Sequence, residues 1–276
     1  MSEQSLHQSP LGQKSAYQDT YDSTLLFPIS RQPARDKIGV SSILPFQGYD
    51  IWTAFELSWL NPNGKPMVAM ADIIIPCESS YLIESKSFKL YLNSLNNTVF
   101  DSPEKVRATL KGDLSEQVKT IVDVKLYAAH HSHQMRVHQF EGMLLDDLDV
   151  ICSEYQVNPH LLHVLQEHVE EKTVYSHLLK SNCLVTGQPD WGSIQISYSG
   201  RKIDESSLLQ YIVSYRNHHG FHEHCVERIF MDIKTHCHPK ELTVYARYTR
   251  RGGLDINPIR STNNLNAPNN DRLFRQ

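Results

Sequence analysis

From Tyr49 onward, polar and apolar positions alternate. Ile51, Thr53, Phe55, Leu57 and Trp59 interleave with Trp52, Ala54, Glu56, Ser58 and Leu60, and a period of two marks a strand. Asn61-Pro62-Asn63-Gly64 supplies turn residues, and a second strand follows through Ile73 to Ile75, so the pattern predicts a hairpin. The period then changes. Ser85, Phe88, Leu92 and Leu95 recur at three- and four-residue intervals, and Ser102-Pro103-Glu104 opens a second helical stretch carrying Val106, Leu110 and Leu114. Val122, Val124 and Leu126 alternate as a returning strand, with a fourth strand expected near Val137 to Leu145.

The second half follows the same plan without obvious residue identity. Leu184 and Val185 fall in one short strand, and Ile194, Ile196 and Tyr198 alternate in the next. Gly200 leads into a helix capped by Asp204 with Leu208, Leu209, Ile212 and Tyr215 inside. A second helix bears Val226, Ile229, Phe230 and Ile233, and Leu242, Val244, Ala246 and Tyr248 alternate as a final strand. The pattern predicts an α+β fold of two tandem ββααββ modules, each an antiparallel sheet with helices on one face. The boundaries read as a polar, irregular surface arm over 1–40, a first module over 41–150 and a second over 151–276.

Composition narrows the class. With 40% hydrophobic and 21% charged residues among 276, the chain can bury a sizeable core. A net charge of −4 argues against a generic nucleic-acid binder. Five cysteines, an odd number without a CxxC pair, fit a reducing compartment better than a disulfide framework. No apolar run approaches the ~20 residues of a membrane span. The expected location is the cytoplasm, with neither membrane nor nucleic acid as partner.

Four stretches could carry chemistry. Ser181 to Trp191 places the Cys183 thiol ahead of a Gly187/Pro189 turn that would fold Asp190 back towards it, pairing a nucleophile with a proton carrier. On its own the stretch reads more readily as a small buried thiol followed by turn residues than as a catalytic pair. Glu84-Ser85-Lys86-Ser87-Phe88-Lys89 lies at a strand-to-helix junction, where free N–H groups favour anions, although a glutamate there is also an ordinary helix-start residue. His218, His219, His222, His224 and Cys225, with His236, Cys237 and His238, hold metal-ligand residue types without a standard finger spacing. Arg247, Arg250 and Arg251 beside Gly252-Gly253 could grip a phosphate or form a basic strand end. No GxGxxG follows a strand, so the usual dinucleotide fingerprint is missing.

Glu84 to Tyr91 resembles the signature of the NADPH-dependent 7-cyano-7-deazaguanine reductases, the nitrile reductases of queuosine biosynthesis. Ser181 to Trp191, Phe221-His222-Glu223 and Tyr248 to Pro258 resemble that family's other motifs. The likeness runs from about residue 15 to the last residues and is to the family's long, two-module form. It implies the tunnelling fold, with one complete site per chain, because the first module has no counterpart of Cys183 and Asp190.

The resemblance implies that Cys183 attacks the nitrile carbon to give a thioimide and that Asp190 protonates the nitrogen, with Trp191 as an apolar wall raising the carboxyl pKa. It implies substrate contacts from Ile83, Glu84, Ser85, His222 and Glu223, the two carboxylates accepting the paired donors of the deazaguanine. NADPH is expected on Ser85, Lys86, Arg251 and Gly252, and no metal is expected. Open sheet edges and the fold's habit of association point to a homo-oligomer, most simply a dimer. The competing classes are a zinc-dependent pterin or purine enzyme of the same fold using the His/Cys cluster, and a non-catalytic purine- or RNA-binding module.

Overall fold

A computed structural model describes residues 17–129, 137–265 and 270–276. The first sixteen residues of the expected arm lie outside them. The chain divides into two compact units that exchange short segments. The first comprises residues up to Ser42 with Asp50–Arg136 and Arg250–Asp255, and the second comprises Ile43–Tyr49, Val137–Thr249 and Ile256–Gln276.

In the first unit, strand β1 (Pro28–Ser30) and the short helix α1 (Gln32–Asp36) precede the hairpin of β2 (Gln47–Leu60) and β3 (Pro66–Pro76). Then come β4 (Tyr81–Ile83), helices α2 (Ser85–Ser94) and α3 (Pro103–Val118), and β5 (Asp123–Ala128). The sheet order is β5-β3-β2, and β5 runs antiparallel to β3. Helix α3 buries Val106, Leu110, Leu114 and Val118, each contributing roughly 1.5–3 kcal/mol relative to exposure.

The described part of the arm is not an irregular surface segment. β1 pairs with β4, Leu26 and Ile29 are buried, and the buried Arg31 reaches Asp50 and Ser79. Arg35 donates to the Cys77 carbonyl at 2.7 Å. A polar, aperiodic sequence is tied down here because its arginines find buried partners, which composition does not reveal.

The second unit opens with two dipeptide strands, β6 (Val137–His138) and β7 (Met143–Leu144), where one longer strand was expected. Gly142 separates them at φ +105°, and a Cβ there would sit 2.3 Å from the Thr173 carbonyl oxygen. Strands β8 (Val164–Ser176), β9 (Lys180–Asn182) and β10 (Pro189–Ile203) follow, then helices α4 (Glu205–Ser214) and α5 (His222–Cys237) and strands β11 (Glu241–Tyr248), β12 (Leu254–Ser261) and β13 (Arg272–Leu273). The sheet order β12-β11-β10-β8-β7 is antiparallel except at β7, which runs parallel to β8; β9 pairs with β10. Leu184 and Val185 lie in the β9–β10 turn rather than in a strand, and both are partly exposed.

The two units share a polar framework that the differing residues around it conceal. In the first, Glu84 caps α2, the Ser87 and Ser94 hydroxyls donate to the carbonyls of Glu84 and Tyr91, and the Tyr91 phenol donates to Asp113. In the second, Asp204 caps α4, Ser207 and Ser214 donate to the carbonyls of Asp204 and Tyr211, and Tyr211 donates to Asp232. The serines also hold the chain that precedes each module. Ser87 and Ser94 accept from the amides of Phe27 and Asp22, and Ser207 and Ser214 accept from those of His163 and Asn158.

Candidate active site

The Cys183 turn follows from hydrogen bonding that any hairpin needs. β9 and β10 pair Asn182 with Pro189 and Ser181 with Asp190, and the Cys183 amide donates to the Gln188 carbonyl at 2.8 Å. Gly187, at φ +66°, closes the loop by donating to the Cys183 carbonyl at 3.1 Å. Side chains alternate across a ladder, so Cys183 and Asp190 emerge on the same face of this hairpin. The fold-back expected of the turn is present. Trp191, by contrast, alternates to the opposite face and is 40% exposed, so it does not wall in Asp190. Asp190 is nonetheless buried, at 6% exposure.

What encloses Asp190 comes from α5 and β11. The Asn182 amide donates to the His218 carbonyl at 2.8 Å, and the Gly220 amide donates to the Asn182 carbonyl at 3.1 Å, which brings the start of α5 beside the residue preceding Cys183. His222 in the first turn then places Nε2 3.5 Å from an Asp190 carboxylate oxygen. Its ring lies flat on the Tyr248 ring, with centroids 3.8 Å apart and planes 8° from parallel. His222 Nδ1 is buried without a hydrogen-bond partner among the described residues, and the Ser181 and Tyr248 hydroxyls are buried together beside the Cys225 thiol. Glu223, one residue on, is 1% exposed.

Burial separates the thiols into two groups, with Cys152 partly exposed like Cys183. Cys183 is partly exposed, whereas Cys77, Cys225 and Cys237 are buried. Burial pushes the Cys225 and Cys237 thiols up to about 12, leaving both protonated near neutral pH. His218 is driven the other way, to about 4, by burial and by the Arg228 charge. The His/Cys residues of this region are dispersed: His222 serves Asp190, the His236 ring meets His160 edge-on, and Cys225 faces the helix core. Among the described residues no three ligand-type side chains gather around a common point.

In the first unit, Glu84 follows β4 and is fully buried. Its carboxylate oxygens accept from the Lys86 and Ser87 amides, each at 2.7 Å. Burial raises its pKa despite those bonds and the nearby Lys89 charge. The oxygen held by Lys86 also accepts from the Ser85 hydroxyl at 3.4 Å, whereas the one held by Ser87 keeps a second lone pair for another donor. Ile83 is buried in β4 and Ser85 begins α2 beside Glu84. Arg251 and Gly252 follow β11 in the segment that belongs to this unit. Gly252 has φ +57°, and a Cβ there would meet the Lys89 side chain at 3.2–3.5 Å. The glycine leaves a bare backbone against a lysine stem, with Arg251 next to it and Arg250 over the Phe55 ring. These cations could answer a phosphate, while the Glu56 carboxylate lies against the neighbouring Gly253. Lys89 is the member that sequence reading left unassigned.

The shared framework shows what distinguishes the units. Asn61, whose side chain accepts from the Asn63 and Lys65 amides, holds the first unit's hairpin turn, and Cys183 occupies the corresponding place in the second. Glu104, at the start of α3, is exposed, whereas Glu223 at the start of α5 is buried. These features define a class: a two-unit α+β protein with a thiol in a hairpin turn beside a buried carboxylate–imidazole pair.

Comparison with known proteins makes the class specific. Residues 17–126 match the profile described as nitrile reductase, 7-cyano-7-deazaguanine-reductase N-term, and residues 189–267 match that of QueF-like protein. Proteins named NADPH-dependent 7-cyano-7-deazaguanine reductase from Paracidovorax citrulli, Delftia acidovorans and Acidovorax ebreus are 55%, 57% and 56% identical, with 97–98% of this chain and 98% of each relative covered. The chain belongs to the NADPH-dependent 7-cyano-7-deazaguanine reductase family.

Proposed function

We propose that this protein reduces the nitrile of 7-cyano-7-deazaguanine to the aminomethyl group of 7-aminomethyl-7-deazaguanine in queuosine biosynthesis, using NADPH and a thioimide on Cys183. The observation that carries the mechanism is the setting of Cys183: a partly exposed thiol sharing a hairpin face with the buried Asp190, itself paired with His222, while three of the other four thiols are buried. The Cys183 sulfur adds to the nitrile carbon as Asp190 delivers a proton to the nitrogen. When bound, NADPH would supply the two hydrides, one molecule for each reduction; between them Cys183 departs as thiolate, leaving an imine. Two hydrides and two protons thus convert the nitrile to the amine, and the thiol is regenerated.

Glu84 and Glu223 read the ring N–H and exocyclic amine of the base, with Ile83, Ser85 and His222 alongside. Support comes from the burial of both carboxylates and from the amides that orient Glu84. Ser85, Lys86, Arg251 and Gly252 hold the NADPH phosphates, and Lys89 joins them; the Gly252 cradle supports this assignment. The fold is a tandem tunnelling fold, consistent with the repeated helix-pair framework. The protein works as a homo-oligomer, most simply a dimer, in the cytoplasm. No helix among the described residues is long and apolar enough to cross a membrane.

The deciding experiment is incubation with the nitrile in the absence of NADPH, followed by intact-protein and peptide mass analysis. Addition to a nitrile expels nothing, so the protein should gain the whole substrate mass on the peptide containing Cys183. Cys183→Ala should lose both adduct and turnover, whereas Cys152→Ala and Cys237→Ala should keep both. An adduct that persists in Cys183→Ala would move the nucleophile elsewhere.

A further inference from the structure

The His222–Asp190 pair depends on a ring whose position is unusually well determined. Tyr248 ends β11, and its strand partner in β10 is Gly192. Gly192 has no positive φ; what it provides is space, since a Cβ there would lie 3.1–3.2 Å from the Tyr248 ring carbons. A larger residue would have to displace the Tyr248 ring or the Leu179 side chain, which would lie 3.2 Å from the same Cβ. A face-to-face stack at 3.8 Å is also not what two neutral rings adopt by themselves, because edge-on or offset packing is preferred. A ring face gains most against a cation, so the contact would strengthen whenever the imidazole takes up a proton.

The backbone at Tyr248 is fixed by side chains. β11 is registered with β12 over Thr243–Tyr245. Further along, the Tyr248 amide donates to Asn257 Oδ1 at 3.1 Å, and the Tyr248 carbonyl accepts from Gln276 Nε2 at 2.9 Å. That carboxamide is saturated. Gln276 Nε2 also donates to Asn257 Oδ1 at 3.0 Å, and Oε1 accepts from Arg247 Nε and the Leu273 amide at 2.5 and 2.9 Å. The preceding residue holds the other half of the strand pair, with Arg275 donating to the Gly192 carbonyl at 3.2 Å and to the His177 carbonyl at 2.8 Å. Residues 275 and 276 therefore clamp both members of the Gly192–Tyr248 pair.

We infer that Tyr248 is a positioning residue of the nitrile reduction. Its ring, seated by Gly192 and locked by Asn257 and Gln276, sets the plane of the His222 imidazole and hence the line along which it meets Asp190. The inference rests on the assignment of Cys183, Asp190 and His222 above. What His222 meets is the face of the Tyr248 ring, so the face rather than the hydroxyl carries the role.

The test uses the full-length enzyme with the nitrile and NADPH, normalised to folded protein by circular dichroism and melting. Tyr248→Leu should lower kcat roughly 10- to 100-fold with KM little changed, the scale expected when a proton-transfer group is misplaced by about 1 Å. It should also alter the pH profile of kcat, which a purely structural residue would not do. Tyr248→Phe should restore parental kcat. In a His222→Ala background the Leu substitution should cost nothing further, because the tyrosine acts through the imidazole. Parental kcat in Tyr248→Leu, an equal loss in Tyr248→Phe, or an undiminished cost in the His222→Ala background would each overturn the inference. Should the Leu protein fail to fold, Tyr248→Met and Gln276→Ala are read by the same criteria. Turnover retained by Cys183→Ala would instead reject the underlying mechanism, so the two failures are told apart.

Discussion

Glu84→Gln exposes the double duty of one carboxylate. In the folded protein each Glu84 oxygen accepts a backbone N–H at 2.7 Å, from Lys86 and from Ser87. An amide supplies one oxygen, so one of these N–H groups would face an NH2. Losing a charge-assisted hydrogen bond costs roughly 1.5–3 kcal/mol. Part of that is recovered because burial, which raises the Glu84 pKa, no longer acts on a charge. The net destabilisation should be about 1–2 kcal/mol, with a melting shift of several degrees. Substrate binding should lose a further roughly 1.5–3 kcal/mol, about 10- to 100-fold in Kd, because a donor now opposes a donor of the base.

Ser87→Ala is the matched control. It strips the same turn of the hydroxyl that donates to the Glu84 carbonyl and accepts from the Phe27 amide, while leaving the carboxylate in place. Both variants should melt lower, and only Glu84→Gln should bind the nitrile more weakly. Calorimetric titration in a Cys183→Ala background keeps binding reversible. Parental affinity in Glu84→Gln, or equal weakening in Ser87→Ala, would refute the claim that this carboxylate reads the substrate.

Arg251→Ala should weaken NADPH binding about 10- to 100-fold with nitrile binding preserved, measured by titration with each ligand separately. Asp190→Asn should slow adduct formation on Cys183 in stopped-flow or quench experiments while reversible nitrile binding persists, because a proton donor is lost and the base-reading carboxylates are not. His218 titrates near 6.5 when unfolded and near 4 when folded, so the unfolded chain binds the extra proton first. Stability should be fully present above about pH 6.5 and decline as pH falls towards about 4, and His218→Phe should flatten that limb of a denaturation-versus-pH curve.

Much of the fold was legible because the hydrophobic period is strong. The β2–β3 hairpin, all four long helices and β11 lie where alternation or three- and four-residue spacing put them. The predicted cap at Asp204 formed because its carboxylate can reach the Ser207 amide locally, at 2.7 Å. Cys183 and Asp190 were also readable together, since a short turn brings them onto one hairpin face.

What the sequence left undecided depends on contacts between residues far apart in the chain. The arm reads as polar and irregular, yet the partners of Arg31 and Arg35 lie at Asp50, Ser79 and Cys77. Trp191 was misread as the wall beside Asp190, because adjacency along a strand means opposite faces of a sheet. The actual neighbours come from His222 and Tyr248, over thirty positions away. The repeat of Ser87, Tyr91, Ser94 and Asp113 in Ser207, Tyr211, Ser214 and Asp232 was present in the letters. It becomes recognisable only when the hydrogen bonds show that these four residues play the same parts in the two units amid otherwise different sequence. Local periodicity determined the elements of this protein; which distant polar groups could be buried together, and so satisfied, was decided by the tertiary structure.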